Sequence, residues 1–79
     1  MPRHEAVFEI DSESDSDAVS RVLERVYDSV REESRSVRQG SEDSTETIAA
    51  FEALRDAAAE PAPGRLRVVY ERDEDGFEN

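Results

Sequence analysis

Twenty-one aspartates and glutamates stand against ten basic residues, and every one of those ten is an arginine. The formal charge of −11 over 79 residues is the first constraint on any fold, because the chain repels itself and must be screened before it can compact. Molar salt shortens the Debye length to about 3 Å and removes most of that repulsion. The charge is also uneven: residues 1–18 and 41–60 each carry −5, 61–79 carry −2, and 19–40 carry +1. Whatever folds here has one nearly neutral segment set among acidic ones.

This balance resembles that of proteins from salt-in halophilic archaea, whose cytoplasm is itself molar in salt; the resemblance concerns habitat and not ancestry. The absence of lysine fits it, since a lysine stem exposes methylenes that high salt makes more adhesive. The length allows one domain, and one this small is marginal alone. No cysteine is present, so disulfides and thiolate metal sites are excluded. Hydrophobic content of 35% against 39% charged residues approaches the composition of disordered chains, and only the patterning argues for a fold. No apolar run nears the roughly 18 residues of a membrane span. Met1-Pro2-Arg3-His4 leads directly into acidic sequence without an apolar signal core, so the expected location is cytoplasmic.

The patterning is clear in four places. Glu5 to Ile10 alternates Ala6, Phe8 and Ile10 with Glu5, Val7 and Glu9, the period of a strand with one apolar face. Asp11 to Asp17 alternates acids and serines and reads as a loop feeding a helix N-cap. From Ala18 to Arg38, Val19, Val22, Leu23, Val26, Tyr27, Val30 and Val37 fall on one helical stripe, with Gly40 placed as a C-terminal cap. Asp43-Ser44-Thr45-Glu46 has capping-box spacing and opens a second helix from about Thr45 to Glu60, with Ile48, Phe51, Leu54 and Ala58 on one face. Pro61-Ala62-Pro63-Gly64 ends it. Arg65 to Arg72 then alternates Leu66, Val68 and Tyr70 with Arg67, Val69 and Glu71.

The expected fold is therefore α+β: β-α-α-β, a two-stranded antiparallel sheet packed on a helical hairpin, in a single domain over 1–72 followed by a flexible acidic tail over 73–79. The expected core is Phe8, Ile10, Val19, Val22, Leu23, Val26, Tyr27, Val30, Ile48, Phe51, Leu54, Leu66, Val68 and Tyr70. A two-stranded sheet is marginal alone and has open edges, so completion to four strands in a homodimer is expected. If subunits meet face to face instead, Val7 and Val69 on the other strand face are candidates for cover.

Motifs for chemistry are sparse. His4, the single histidine, lies near a terminus and reads as incidental. Neither a nucleophile elbow nor a glycine-rich phosphate loop occurs, and no catalytic residue, cofactor or metal is assigned. Asp73-Glu74-Asp75-Gly76 has the look of an opening calcium loop but lacks the later ligands. Candidate partner-binding residues are Arg21, Arg25, Arg31, Arg35 and Arg38 on the near-neutral helix, Arg67 on the second strand and Phe77 in the tail. The bland reading of that helix is a solvated face with local ion pairs such as Arg21–Glu24 and Arg25–Asp28.

The function expected is a small, salt-adapted, non-catalytic interaction module that binds another protein. The alternative is a nucleic-acid-associated regulator using helix one or the Arg65/Arg67 strand. Molar salt weakens each phosphate contact and counts against that alternative. Sedimentation and circular dichroism across a KCl series are expected to find a folded homodimer at molar salt. It should dissociate and lose helix signal below about 0.3 M, where the Debye length exceeds about 5 Å. A monomer with full helix signal in dilute buffer would remove this expectation.

Overall fold

The computed structural model describes residues 2–37 and 42–77, with side chains described for 2–33 and 45–77. Strand β1 (Arg3–Ile10) leads into helix α1 (Glu13–Val37), then helix α2 (Glu42–Ala58) and strand β2 (Gly64–Glu71). The order and fold class are those read from the sequence. The strands pair antiparallel as a two-stranded sheet, from Arg3 opposite Glu71 to Ile10 opposite Gly64. The Arg72 amide donates to the Pro2 carbonyl at 3.1 Å and extends the ladder past the last pair.

Helix α1 begins five residues earlier than the sequence reading placed it. Ser12 supplies the cap: its Oγ accepts from the Asp15 amide at 3.1 Å, and Asp15 Oδ2 accepts from the Asp11 amide at 2.9 Å. Two otherwise orphaned donors are thus satisfied by neighbouring side chains. Glu13 and Asp15 sit in the first turn, where the helix dipole favours negative charge. The acidic run is therefore mostly helix and not loop. Helix α2 also starts earlier, at Glu42, which places the Asp43–Glu46 motif inside its first turns. Its end tightens through Ala59 and Glu60 amides donating to the Asp56 and Ala57 carbonyls, the i+3 bonding common in last turns. The cap expected at Gly40 lies outside the described residues.

The core is smaller than the sequence pattern implied. Among the described residues the buried apolar side chains are Val19, Leu23 and Tyr27, and no large side chain is fully buried. These three recur every fourth residue along α1 and so share one stripe. Val26, Val30, Ile48, Phe51, Ile10 and Leu66 are half-buried around them. Phe8, Val22, Leu54, Val68 and Tyr70, all expected inside, are exposed. The reason lies in the covering elements. Helix α1 packs along α2 and touches β1, so the pair of helices spends its apolar stripes on each other and reaches only the Ile10/Leu66 end of the sheet. The rest of the ribbon projects, and the molecule extends 46 × 31 × 15 Å.

Tyr27 is the largest side chain of this core and is 7% exposed. Tyr27→Ala is expected to cost about 3–4 kcal/mol, the range for truncating a buried aromatic. Phe51→Ala, at a half-buried position, is expected to cost about half as much. Chemical denaturation of both variants in molar KCl checks the ranking; a larger loss at Phe51 would place the core on α2 instead of α1.

Candidate functional site

The strand register divides the ribbon into two chemically different faces. Residues directly opposite each other in an antiparallel ladder project to the same side. Pairing of His4 with Tyr70, Ala6 with Val68, Phe8 with Leu66 and Ile10 with Gly64 makes one face almost wholly apolar. Pairing of Arg3 with Glu71, Glu5 with Val69, Val7 with Arg67 and Glu9 with Arg65 gathers the charges on the other.

The charged face is internally matched. Glu5 takes Arg67 at 2.7 Å and Arg3 at 3.1 Å; Arg3 also lies 3.5 Å from Glu71, and Arg65 lies 3.6 Å from Glu9. These pairs are solvent-exposed and individually worth about 0–1 kcal/mol. Their consequence is geometric: opposite charges alternate across the ladder, and Val7 and Val69 lie between them.

The apolar face is open. Phe8 is 43% exposed, Val68 56% and Tyr70 62%. Exposure rises from the helix-contacting end toward the projecting end, so the side chains farthest from the helices have least cover. At the junction, Ile10 and Leu66 meet Val19, Leu23 and Leu54 around an open groove of about 250 Å³. Apolar lining thus runs from the ribbon into the seam between ribbon and helices. A second open cleft, of about 310 Å³, lies between Asp11–Glu13 with Ser16 and Pro61–Pro63. Among the described residues no group of three or more His, Cys, Asp or Glu is placed to hold a metal ion. No helix among them is long and apolar enough to cross a membrane.

A separate feature holds the helices together. The Arg55 guanidinium of α2 lies 4.3 Å from the centre of the Tyr27 ring on α1, and Arg31 lies 5.9 Å from it. A guanidinium over an aromatic face is attracted by the ring quadrupole. Arg55 also donates to Asp56 Oδ1 from Nε and Nη2 at 3.1 and 2.9 Å and lies 3.6 Å from Glu52. The hydrogen bond to Asp56 above all, against an opposing effect of desolvation, holds the Arg55 guanidinium more basic than usual. It stays a cation at any working pH.

The arginines singled out by sequence do not form one patch. Arg21 and Arg25 are exposed on α1. Arg31 is drawn to Tyr27, and Arg67 is bound to Glu5 across the ladder. The Arg35 side chain and all of Arg38 lie outside the described residues. Phe77 is 99% exposed in a segment without helix or strand. His4 is exposed at the projecting end of the apolar face, opposite Tyr70.

The surface that sequence reasoning misses is the open apolar face itself, since the pattern assigns Phe8, Val68 and Tyr70 to the core, whereas all three are exposed. A signal was present. Helix α2 offers only Ile48, Phe51 and Leu54 as large apolar residues, the rest of its apolar set being alanine. So short a stripe cannot cover both α1 and an eight-residue ribbon.

No protein-family model matches the sequence, and no curated protein or solved structure is significantly similar to it.

Proposed function

We propose that this chain is a non-catalytic interaction module that works by binding another polypeptide through the apolar face of its ribbon. The observation that carries the reading is the open row of Phe8, Val68 and Tyr70. Apolar area left in water is unfavourable by about 25 cal/mol per Å², and contiguous exposed patches mark interaction surfaces. The tyrosine at the open end fits, because interfaces favour side chains with an apolar body and a polar tip. The chain is read as a salt-adapted cytoplasmic protein, in which screening leaves apolar contact as the principal source of affinity.

The ion pairing weighs against the nucleic-acid alternative. Arg65 and Arg67, the ribbon residues that would meet phosphate, are held by Glu9 and Glu5. A phosphate backbone would have to displace those carboxylates and approach a chain of charge −11. Titration of labelled duplex and single-stranded DNA and RNA in molar KCl is expected to give no binding tighter than about micromolar. Sub-micromolar, sequence-selective binding would favour the alternative.

The protein-binding reading is tested by comparing tagged parent and Val68→Glu chains recovered from cells at their native internal salt. The expected outcome is a polypeptide retained by the parent and lost from the variant. Identical recoveries from both would show that this face is not the working surface.

A further inference from the structure

The ribbon face has no cover within the chain, and the amount of uncovered surface can be compared with what a compact chain would show. The chain exposes 6652 Å². A compact monomer of 8.9 kDa is expected to expose about 4,800 Å². The excess is thus about 1,800 Å². The radius of gyration agrees in direction: 14.8 Å against about 12 Å for a compact domain of this length. Part of the excess belongs to the acidic tail. The whole excess is about twice the roughly 800 Å² that each partner contributes to a stable interface, so the chain has the surface to supply one.

We infer that the apolar face of the ribbon is covered by the same face of a second copy of this chain, the two ribbons packing face to face about a two-fold axis. The inference rests on the reading of this face as a protein-binding surface and names its occupant. Two observations select a second copy. First, the buried apolar core of the described residues is only Val19, Leu23 and Tyr27, so the fold gains from further apolar burial, and a second copy is the one partner that making the chain itself supplies. Second, the face carries no carboxylate: its ionisable groups are His4, the Tyr70 phenol and, just past the last pair, Arg72 opposite Pro2, so two copies of a chain of charge −11 meet there without juxtaposing acids.

Edge-to-edge pairing into four strands is the competing arrangement. Joining edges satisfies backbone groups but leaves Phe8, Val68 and Tyr70 of both copies in water on one doubled face. Face-to-face packing removes them. A two-fold axis makes the contact isologous, so each of these residues meets the partner's copy of the same set. The charged faces, with the Glu5–Arg67 and Glu9–Arg65 pairs, then lie outermost in solvent.

The test uses the full chain in molar KCl. Sedimentation is expected to give two copies per particle. A sample mixing carbon-13-labelled and unlabelled chains should show intermolecular nuclear Overhauser effects among Phe8, Val68 and Tyr70. Val68→Glu places two carboxylates near the axis and is expected to raise the dimer dissociation constant by about a hundredfold or more. Val7→Glu, on the charged face, is expected to leave it within a few-fold. A monomeric parent with its full helix signal overturns the inference. So does a dimer whose intermolecular effects come from strand edges or from α1, and so does an equal loss from Val7→Glu and Val68→Glu. Should Val68→Glu fail to fold, the labelled-mixture spectrum of the parent still decides. A monomeric parent that loses a different polypeptide on Val68→Glu overturns only the second copy as occupant. Recoveries unaffected by the substitution overturn the binding face as well.

Discussion

A two-stranded ribbon cannot bury its own apolar face, and in this chain the helices cannot do it either. That shortage governs the architecture. The apolar stripe of α1 is long enough to engage α2 and the near end of the ribbon, while α2 contributes alanines where a fuller core would need leucines. Val19, Leu23 and Tyr27 are therefore the buried centre, and the far half of the ribbon extends beyond the reach of either helix. Small domains bury a modest share of their surface at best, and this one starts with fewer apolar residues than most. The element order follows from local pattern, and the open half of the ribbon is where further burial would add most to stability.

With so few apolar side chains, the helix pair recruits charged ones. Arg55 lies on the Tyr27 ring while its nitrogens engage Asp56 and lie near Glu52. One side chain thus extends the core edge with a planar, weakly hydrated group and returns its charge to the surface. A lysine could not do both, since its ammonium is a strongly hydrated point charge without a flat face to stack. The preference for arginine across the sequence has a structural expression here, alongside any advantage in salt. The arrangement also explains why the positive helix is not a uniform basic patch: Arg31 is drawn toward the same ring, leaving Arg21 and Arg25 farther along α1.

Much of this was legible in the sequence. Periods of two and of about 3.6 residues located both strands and both helices in order, and the alternation in β1 and β2 assigned each residue to the correct face. Two things were not. The start of α1 was hidden because Asp and Ser favour caps and turns as well as first helical turns. Only the bonds that the Ser12 and Asp15 side chains accept from the Asp15 and Asp11 amides distinguish the two, and they are set by geometry. The core was overestimated for a different reason. Alternation shows that Phe8, Val68 and Tyr70 share an apolar face, but not that anything covers it, because cover is a property of other elements and of their reach. The arginines show the converse limit: sequence marks Arg67 as a cation on the outer face, whereas the cross-strand carboxylate of Glu5 determines how free it is to meet a partner.

The two faces of the ribbon also determine how it can associate. Burying the charged face would strip water from Arg3, Glu5, Glu9, Arg65, Arg67 and Glu71. Each desolvated ion costs several kcal/mol unless its new surroundings replace every lost hydrogen bond. The existing pairs, at 2.7 to 3.6 Å, run across the ladder and, for Arg3 with Glu5, along β1, and have few unmet charges to offer a partner. Burying the other face displaces water from Ala6, Phe8, Val68 and Tyr70, and the polar groups to accommodate, His4, Tyr70 and Arg72, are gathered at the open end. The same alternation that makes the strand thus sets its sidedness: one face is charged and matched within the chain, and the other is apolar and open. Salt acts on both. It screens the long-range repulsion of a chain carrying −11 and strengthens the burial of apolar surface, so the salt that eases compaction also raises the cost of leaving the apolar face in water.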